Sequence, residues 1–502
     1  MVSLKYNVIA NYASQIFVTI IGIVLLPMYI KYMGSEAYGL VGFFAMLQVW
    51  FGVLDLGLTP TIGRQTARYN GGAISALEFR QLYRILTVLF LSVAVIGGGA
   101  LFLFSKIIAT QWLNIRNLNV DSVVISVQIM AISVALRWMG GLYRGVVTGS
   151  EKLVWLGGYN VIIAILRFAG VFVSMWQFGF MPVVFFVHQF GVALIEVIGL
   201  AIKSESLMPI KKDLKKNIGW SLEPIKPVLK FSLTIAATAS IWAFVTQADK
   251  LVLSGVLPLT DYGYFTLAVL VASAVMIIGG PISSAIMPRM AKLEAERNFE
   301  EVTRIYRQST QLVTVIAGST AVTLAFCAEP LLLAWTGDAV LVSNAAPILT
   351  LYAAGNGILS VAAFPYYLQY AKGDLRYHFI GHLLLLFILV PIIVIAAKQY
   401  GAIGAGYAWV IVTTLYLFIW VAVVHHKLQP GLHWKWLVKD VLTIGVPMVL
   451  LGAVVSLIEF KMSSRLFNLM YVIGFGGGIF LVGTLMSPNG RDFISGLKLK
   501  ET

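Results

Sequence analysis

Cysteine is nearly missing from this chain: Cys327 is the single one in 502 residues. That excludes an intrachain disulfide framework and any metal cluster built on thiolates. Charge is also scarce. Only 12% of residues are charged, against about 25% in soluble domains, while 59% are hydrophobic and the mean hydropathy is +0.87. Such a chain cannot stay in water as a monomeric globule and reads as an integral membrane protein. No G-x-x-x-x-G-K-[ST] run occurs, so the sequence offers no P-loop for ATP. Metal ligands are sparse too. His378 and His382 share a helical face at a spacing of four, but no carboxylate or third ligand accompanies them, so neither a metal nor a cofactor is expected.

What the chain has instead is long apolar stretches. A bilayer core of about 30 Å takes roughly 20 residues per helix. Fourteen segments meet this, near 8–30, 38–58, 85–105, 122–147, 153–177, 181–202, 231–256, 262–286, 310–333, 343–368, 378–397, 402–424, 438–458 and 466–487. The first is too long for a signal-peptide core and lacks a small-x-small cleavage site, so it is counted as a span. Acidic residues number 22 and basic residues 36. With the N-terminus placed in the cytoplasm, 27 of the 36 cations fall on the inner side, which is the expected bias. Both termini are therefore expected in the cytoplasm. The net charge of +14 then reflects topology and contact with anionic lipids, not nucleic acid.

The longest polar interruption, 203–229, carries Lys203, Lys211, Lys212, Lys215, Lys216 and Lys226. It divides the spans six and eight, and its flanks repeat. Leu4-Lys5-Tyr6 is echoed by Leu229-Lys230-Phe231, and Tyr38-Gly39 by Tyr262-Gly263. The expected fold is an all-α membrane protein of about 14 transmembrane helices. Two six-helix lobes, 1–202 and 230–430, would be related by a pseudo-two-fold axis along the membrane normal. A basic cytoplasmic linker, 203–229, joins them, and residues 431–502 add two helices and a tail. The acid- and base-rich stretch 287–308 is expected to form a short surface helix.

Asn11, Pro27, Tyr29, Gly34, Glu36, Tyr38, Gly39, Leu54, Asp55, Gly57 and Arg64 form a pattern N…P-x-Y…G-x-E-x-Y-G…L-D-x-G…R. This resembles the N-terminus of polysaccharide flippases of the multidrug/oligosaccharidyl-lipid/polysaccharide (MOP) exporter superfamily. Tyr143-Arg144-Gly145-Val146-Val147-Thr148-Gly149 and Gln247-Ala248-Asp249-Lys250 are similar to further segments of that family. The resemblance implies a flippase of the bacterial cytoplasmic membrane, not an enzyme. It implies an undecaprenyl-diphosphate-linked oligosaccharide as substrate and alternating access of two lobes as mechanism. Partners would be that lipid-linked oligosaccharide, membrane lipids, and the polymerase and chain-length proteins of the same pathway.

Three cations lie well inside apolar spans, away from the span ends: Arg137, Arg167 and Lys250. A charge at mid-bilayer costs about 2.5–3.5 kcal/mol even on insertion scales, so such residues face a bundle interior and mark function. Arg137 and Arg167 sit at comparable depth on antiparallel neighbours, and paired guanidinium forks match phosphate oxygens. Arg64, after the second span, would meet incoming headgroups in the cytoplasmic vestibule. Among the acids, Glu196 is expected to pair with an arginine or relay charge, and Asp249 to couple to an ion or proton. Asp55, near a span end, is expected to serve interfacial structure. Asp249 and Lys250, some 100° apart on a helix, are not expected to pair with each other. Two other transporters fit the same features, a lipid II flippase and, less well, a cation-coupled multidrug exporter, whose cavity should be acidic. A glycosyltransferase or polymerase is disfavoured because the outer loops are short.

Overall fold

The computed structural model describes residues 4–55, 57–209, 219–220, 226–277, 279–458 and 464–491. Lys211, Lys212, Lys215 and Lys216 of the linker, and the tail from 492, lie outside the described residues. The described residues are mostly helical, and the chain divides into two compact units, Met1–Gly263 and Tyr264–Thr502.

The first unit holds α1 (Leu4–Met33), α2 (Ser35–Val53), α3 (Leu58–Asn70), α4 (Ala76–Leu103), α5 (Val120–Gly149), α6 (Leu153–Phe178), α7 (Pro182–Leu207) and α8 (Lys226–Val256). The start of α9 (Leu259–Ile277) belongs to it as well. Their starts follow from local chemistry. Ser75 accepts from the Glu78 amide ahead of α4, and Asn119 from the Asp121 and Ser122 amides ahead of α5. Gly57, at φ 71°, supplies the left-handed turn between α2 and α3. α5 packs against α7, α4 and α3, and α1 against α6. The α3–α5 crossing explains the Tyr143–Gly149 motif. A Cβ at Gly149 would overlap the Gly63 carbonyl, and one at Gly145 would lie 2.8 Å from the Thr59 carbonyl.

In the second unit, α9 leads into α10 (Gly279–Ala295), α11 (Phe299–Phe326), α12 (Ala328–Thr336), α13 (Ala339–Ala362) and α14 (Pro365–Lys372). Then follow α15 (Arg376–Leu428), α16 (Leu432–Ser456) and α17 (Arg465–Met486). α11 packs on α13, α16 and α17, and α13 on α15. A partly buried ion pair adds to the α11–α16 contact: Arg307 donates to Asp440 from Nε at 2.6 Å and from Nη2 at 3.0 Å. Gln311 Nε2 adds a third bond to the same carboxylate, at 2.7 Å.

Among the described residues, twelve helices are long and apolar enough to cross a membrane. One of them, α15, is 53 residues long and breaks at Gly401, whose φ of 59° and ψ of −143° are not helical. It therefore holds two crossings. The 31-residue α8 is a further one, which brings the number to fourteen. The sequence-expected surface helix over 287–308 is displaced. α10 starts at Gly279, and the membrane helix α11 begins at Phe299, inside the expected loop. The physical reason is that helix periodicity continues past the apolar stretch. The polar turn Phe299–Gln308 carries Asn298 as N-cap and a Glu301–Arg304 pair at 2.6 Å.

Candidate anion site in the first unit

Arg137 is the eighteenth of the thirty residues of α5, and Arg167 and Glu196 are each the fifteenth of the 26 in α6 and α7. All three are thus near the middle of their helices. Arg167 belongs to a π-helical turn, Ile165–Gly170, that interrupts α6. Such turns widen a helix locally and recur at functional sites.

Glu196 is buried and receives two guanidiniums, one on each oxygen. Arg167 Nη2 donates to Oε2 at 2.8 Å and Arg144 Nη2 to Oε1 at 3.0 Å. Arg144 also donates from Nη1 to Asn160 Oδ1 at 3.1 Å. The carboxylate that the sequence offered as an arginine partner therefore binds Arg167 and Arg144, not Arg137. Arg137 is held by neutral amides instead, with Nη1 on Gln48 Oε1 at 2.6 Å and Nη2 on Gln189 Oε1 at 2.9 Å. Its guanidinium lies 5.2 Å from the centre of the Phe44 ring. Gln189 then donates through Nε2 to the Arg167 carbonyl at 3.0 Å. One amide thus joins the Arg137 side chain to the Arg167 backbone, and the two arginines that the sequence singled out belong to one network.

The network is electrostatically lopsided, with three guanidiniums to one carboxylate. The Nε–H groups of Arg137 and Arg167 are buried and have no hydrogen-bond partner. Each such orphan donor costs about 1–3 kcal/mol. The arginines keep open faces, however, since the side chains of Arg144 and Arg167 are 36% and 24% exposed.

The remaining residues marked in the sequence lie elsewhere in the unit. Lys250 Nζ donates to the Thr246 carbonyl at 2.8 Å and to Asp249 Oδ1 at 3.2 Å. The expectation that Asp249 and Lys250 do not pair is therefore wrong. The four-carbon stem of lysine is long enough to fold back over its own helix, which Cβ directions alone do not reveal. Asp249 is buried and Lys250 partly so. Asp55 caps α3: it accepts from Thr59 Oγ1 at 2.6 Å and from the Thr59 amide at 3.2 Å. Arg64 is exposed on α3, next to the Gly63 carbonyl that α5 crosses. In the second unit, the His378 and His382 rings meet edge to face with centroids 4.1 Å apart, and His382 Nδ1 bonds the His378 carbonyl at 2.9 Å. Among the described residues, no group of three or more metal-ligating side chains occurs.

Reading the sequence for buried charge misses Arg144, Gln48 and Gln189. Arg144 lies seven residues after Arg137, two helical turns on and on nearly the same face. That periodicity was the signal available for it. The two glutamines carry no charge and do not stand out in an apolar span.

The family described as polysaccharide biosynthesis protein matches residues 4–294, more than half of the chain. A Shigella flexneri protein described as a candidate O-antigen transporter is 21% identical over 417 residues, which span 81% of this chain and 94% of that protein. Among solved structures, the lipid II flippase MurJ in an inward closed conformation superposes with a TM-score of 0.69 at 16% identity. It covers 98% of this chain and 100% of its own. An inward-facing multidrug resistance MATE transporter of the MOP superfamily gives a TM-score of 0.64 at 12% identity, over 82% of this chain and 96% of its own. These two likenesses establish a shared fold. This multi-pass membrane chain belongs to the polysaccharide biosynthesis protein family and is built on the fold of the MOP-superfamily transporters.

Proposed function

We propose that the chain flips an undecaprenyl-diphosphate-linked oligosaccharide from the inner to the outer leaflet of a bacterial cytoplasmic membrane, for surface polysaccharide synthesis. The observation that carries this is the excess of guanidinium over carboxylate at Arg137, Arg144, Arg167 and Glu196, with two buried Nε–H donors unanswered. A cation in a membrane interior needs a partner, and one carboxylate cannot serve three arginines. A diphosphate can, because its oxygens accept several charge-assisted bonds at once while the polyprenyl tail stays in lipid.

In this reading the two six-helix lobes, 1–202 and 230–430, rock about the site in alternating access. The 203–229 linker and both termini lie in the cytoplasm. The chain acts as a carrier and makes or breaks no covalent bond. Lys250 and Arg64 would meet the headgroup at other stages of the passage, and Asp249 would respond to the coupling ion. The polymerase and chain-length proteins of the same route would receive the product. The family match and the Shigella relative support a polysaccharide substrate, and the arginine excess disfavours a cationic drug.

The test is reconstitution of the full chain into liposomes containing fluorescent undecaprenyl-diphosphate-linked oligosaccharide, with lipid II as the comparison substrate. Exposure of the label to a membrane-impermeant quencher reports flipping. Wild type should move the oligosaccharide lipid, and Arg137→Gln and Arg167→Gln should each slow it on the order of tenfold or more, one charge-assisted bond each. Movement of lipid II alone, or unimpaired transport by both correctly inserted variants, would overturn the proposal.

A further inference from the structure

Glu196 occupies the position that an anionic ligand of Arg144 and Arg167 would take. Its two oxygens meet one guanidinium each, at 3.0 and 2.8 Å, in the way two phosphate oxygens would. It reaches them from a third helix, α7, and is not carried by either arginine's helix. The backbone around it is fixed as well: Tyr159 of α6 donates its hydroxyl to the Ile195 carbonyl at 2.7 Å. The carboxylate is therefore a built-in anion, and any incoming headgroup must compete with it.

We propose, on the reading that the site takes a lipid diphosphate, that Glu196 is an internal competitor whose two-point hold on Arg144 and Arg167 sets a threshold that selects diphosphate over monophosphate. A carboxylate contributes one negative charge. A monophosphate ester holds its charge, at most two, on a single phosphoryl group and gains little by replacing it, since displacement also leaves Glu196 buried without its counter-ions. A diphosphate joined to lipid and sugar also carries two charges, but it spreads them over two phosphoryl groups and offers more acceptor oxygens. It can hold Arg144 and Arg167 together, one phosphoryl group on each, and outweigh the loss. Specificity then comes from an internal competitor as well as from attraction. The spent carrier lipid, a monophosphate once its headgroup is hydrolysed, would be rejected by the same residue.

The experiment measures binding of undecaprenyl phosphate and undecaprenyl diphosphate to the purified full chain in micelles, by native mass spectrometry or thermophoresis at one pH and salt. Wild type should prefer the diphosphate by roughly tenfold or more. Glu196→Gln keeps size and hydrogen-bonding capacity but removes the charge. It should raise monophosphate affinity on the order of tenfold and narrow the preference accordingly. Should that variant not fold, Glu196→Asp serves, because a shorter carboxylate cannot span both arginines and should shift the preference the same way. If Arg167→Gln loses diphosphate binding while Glu196 variants keep the wild-type preference, the threshold is wrong and the flippase reading survives. If Arg137→Gln and Arg167→Gln bind diphosphate like wild type, the reading falls and the threshold with it.

Discussion

Replacing Asp440 with leucine should destabilise the second unit strongly, and the double variant Arg307→Met/Asp440→Leu should recover most of the loss. Asp440 is fully buried and accepts from Arg307 Nε, Arg307 Nη2 and Gln311 Nε2 at 2.6, 3.0 and 2.7 Å. Removing one partner of a buried pair costs about 3–5 kcal/mol, because the remaining charge is stranded. The Arg307 side chain is 30% exposed, so water screens part of that charge and the cost falls to the lower end, about 3 kcal/mol. The double variant substitutes an apolar contact for the pair and removes the stranded charge. It keeps one orphan, the Gln311 amide, worth about 1–3 kcal/mol, which the single variant carries on top of its stranded charge. Reversible unfolding in mixed micelles, followed by tryptophan fluorescence, gives the three free energies and the coupling between the sites. The reasoning fails if Asp440→Leu lies within about 1 kcal/mol of wild type, or if the double variant is no better than the single one.

Two further outcomes test packing that positions the first unit. Glu36 accepts from the Arg116 amide at 2.6 Å and from the Asn117 amide at 3.0 Å, tying the loop before α5 to the start of α2. In Glu36→Ala, hydrogen exchange at these two amides should accelerate on the order of tenfold or more, since each bond is charge-assisted; unchanged exchange would rule out the tether. Arg80 is buried, grips the Pro209 carbonyl through Nε at 2.9 Å and pairs with Glu205 at 2.8 Å. Arg80→Leu should therefore speed tryptic cleavage within 203–229 several-fold while cleavage near Arg491 stays at its wild-type rate.

The fourteen crossings were legible because each needs an apolar run, and lipid leaves no other solution for the backbone. Helix ends were not. α4 begins at Ala76 and α11 at Phe299, ahead of their apolar stretches, because capping by Ser75 and Asn298 extends them into polar surroundings. At the candidate site, Arg137, Arg167 and Glu196 stood out as charges in apolar surroundings, and that signal survives any uncertainty in packing. Their pairing did not stand out. It depends on the π turn that carries Arg167 and on the close α3–α5 crossing that fixes the register of Arg144, and both are tertiary facts. Lys250 shows the opposite limit: a flexible stem overrides the angular rule that separated it from Asp249.

Partly buried arginines occur in the helices of both units, and their satisfaction distinguishes them. Arg307 meets one carboxylate through two nitrogens, a third donor completes that carboxylate, and the charges cancel. Such a pair is complete without a ligand, and its natural role is to hold α16 on α11. Around Glu196 the charges do not cancel, Arg137 is held only by neutral amides, and two Nε–H donors have no acceptor. Folding alone gives no reason to keep three guanidiniums there, since an apolar replacement would remove both the desolvation cost and the orphans. A site that is incomplete by itself and complete with a polyvalent anion accounts for the same residues at no extra assumption. Charge balance, more than the mere presence of arginine in a span, separates the structural cluster from the candidate binding one.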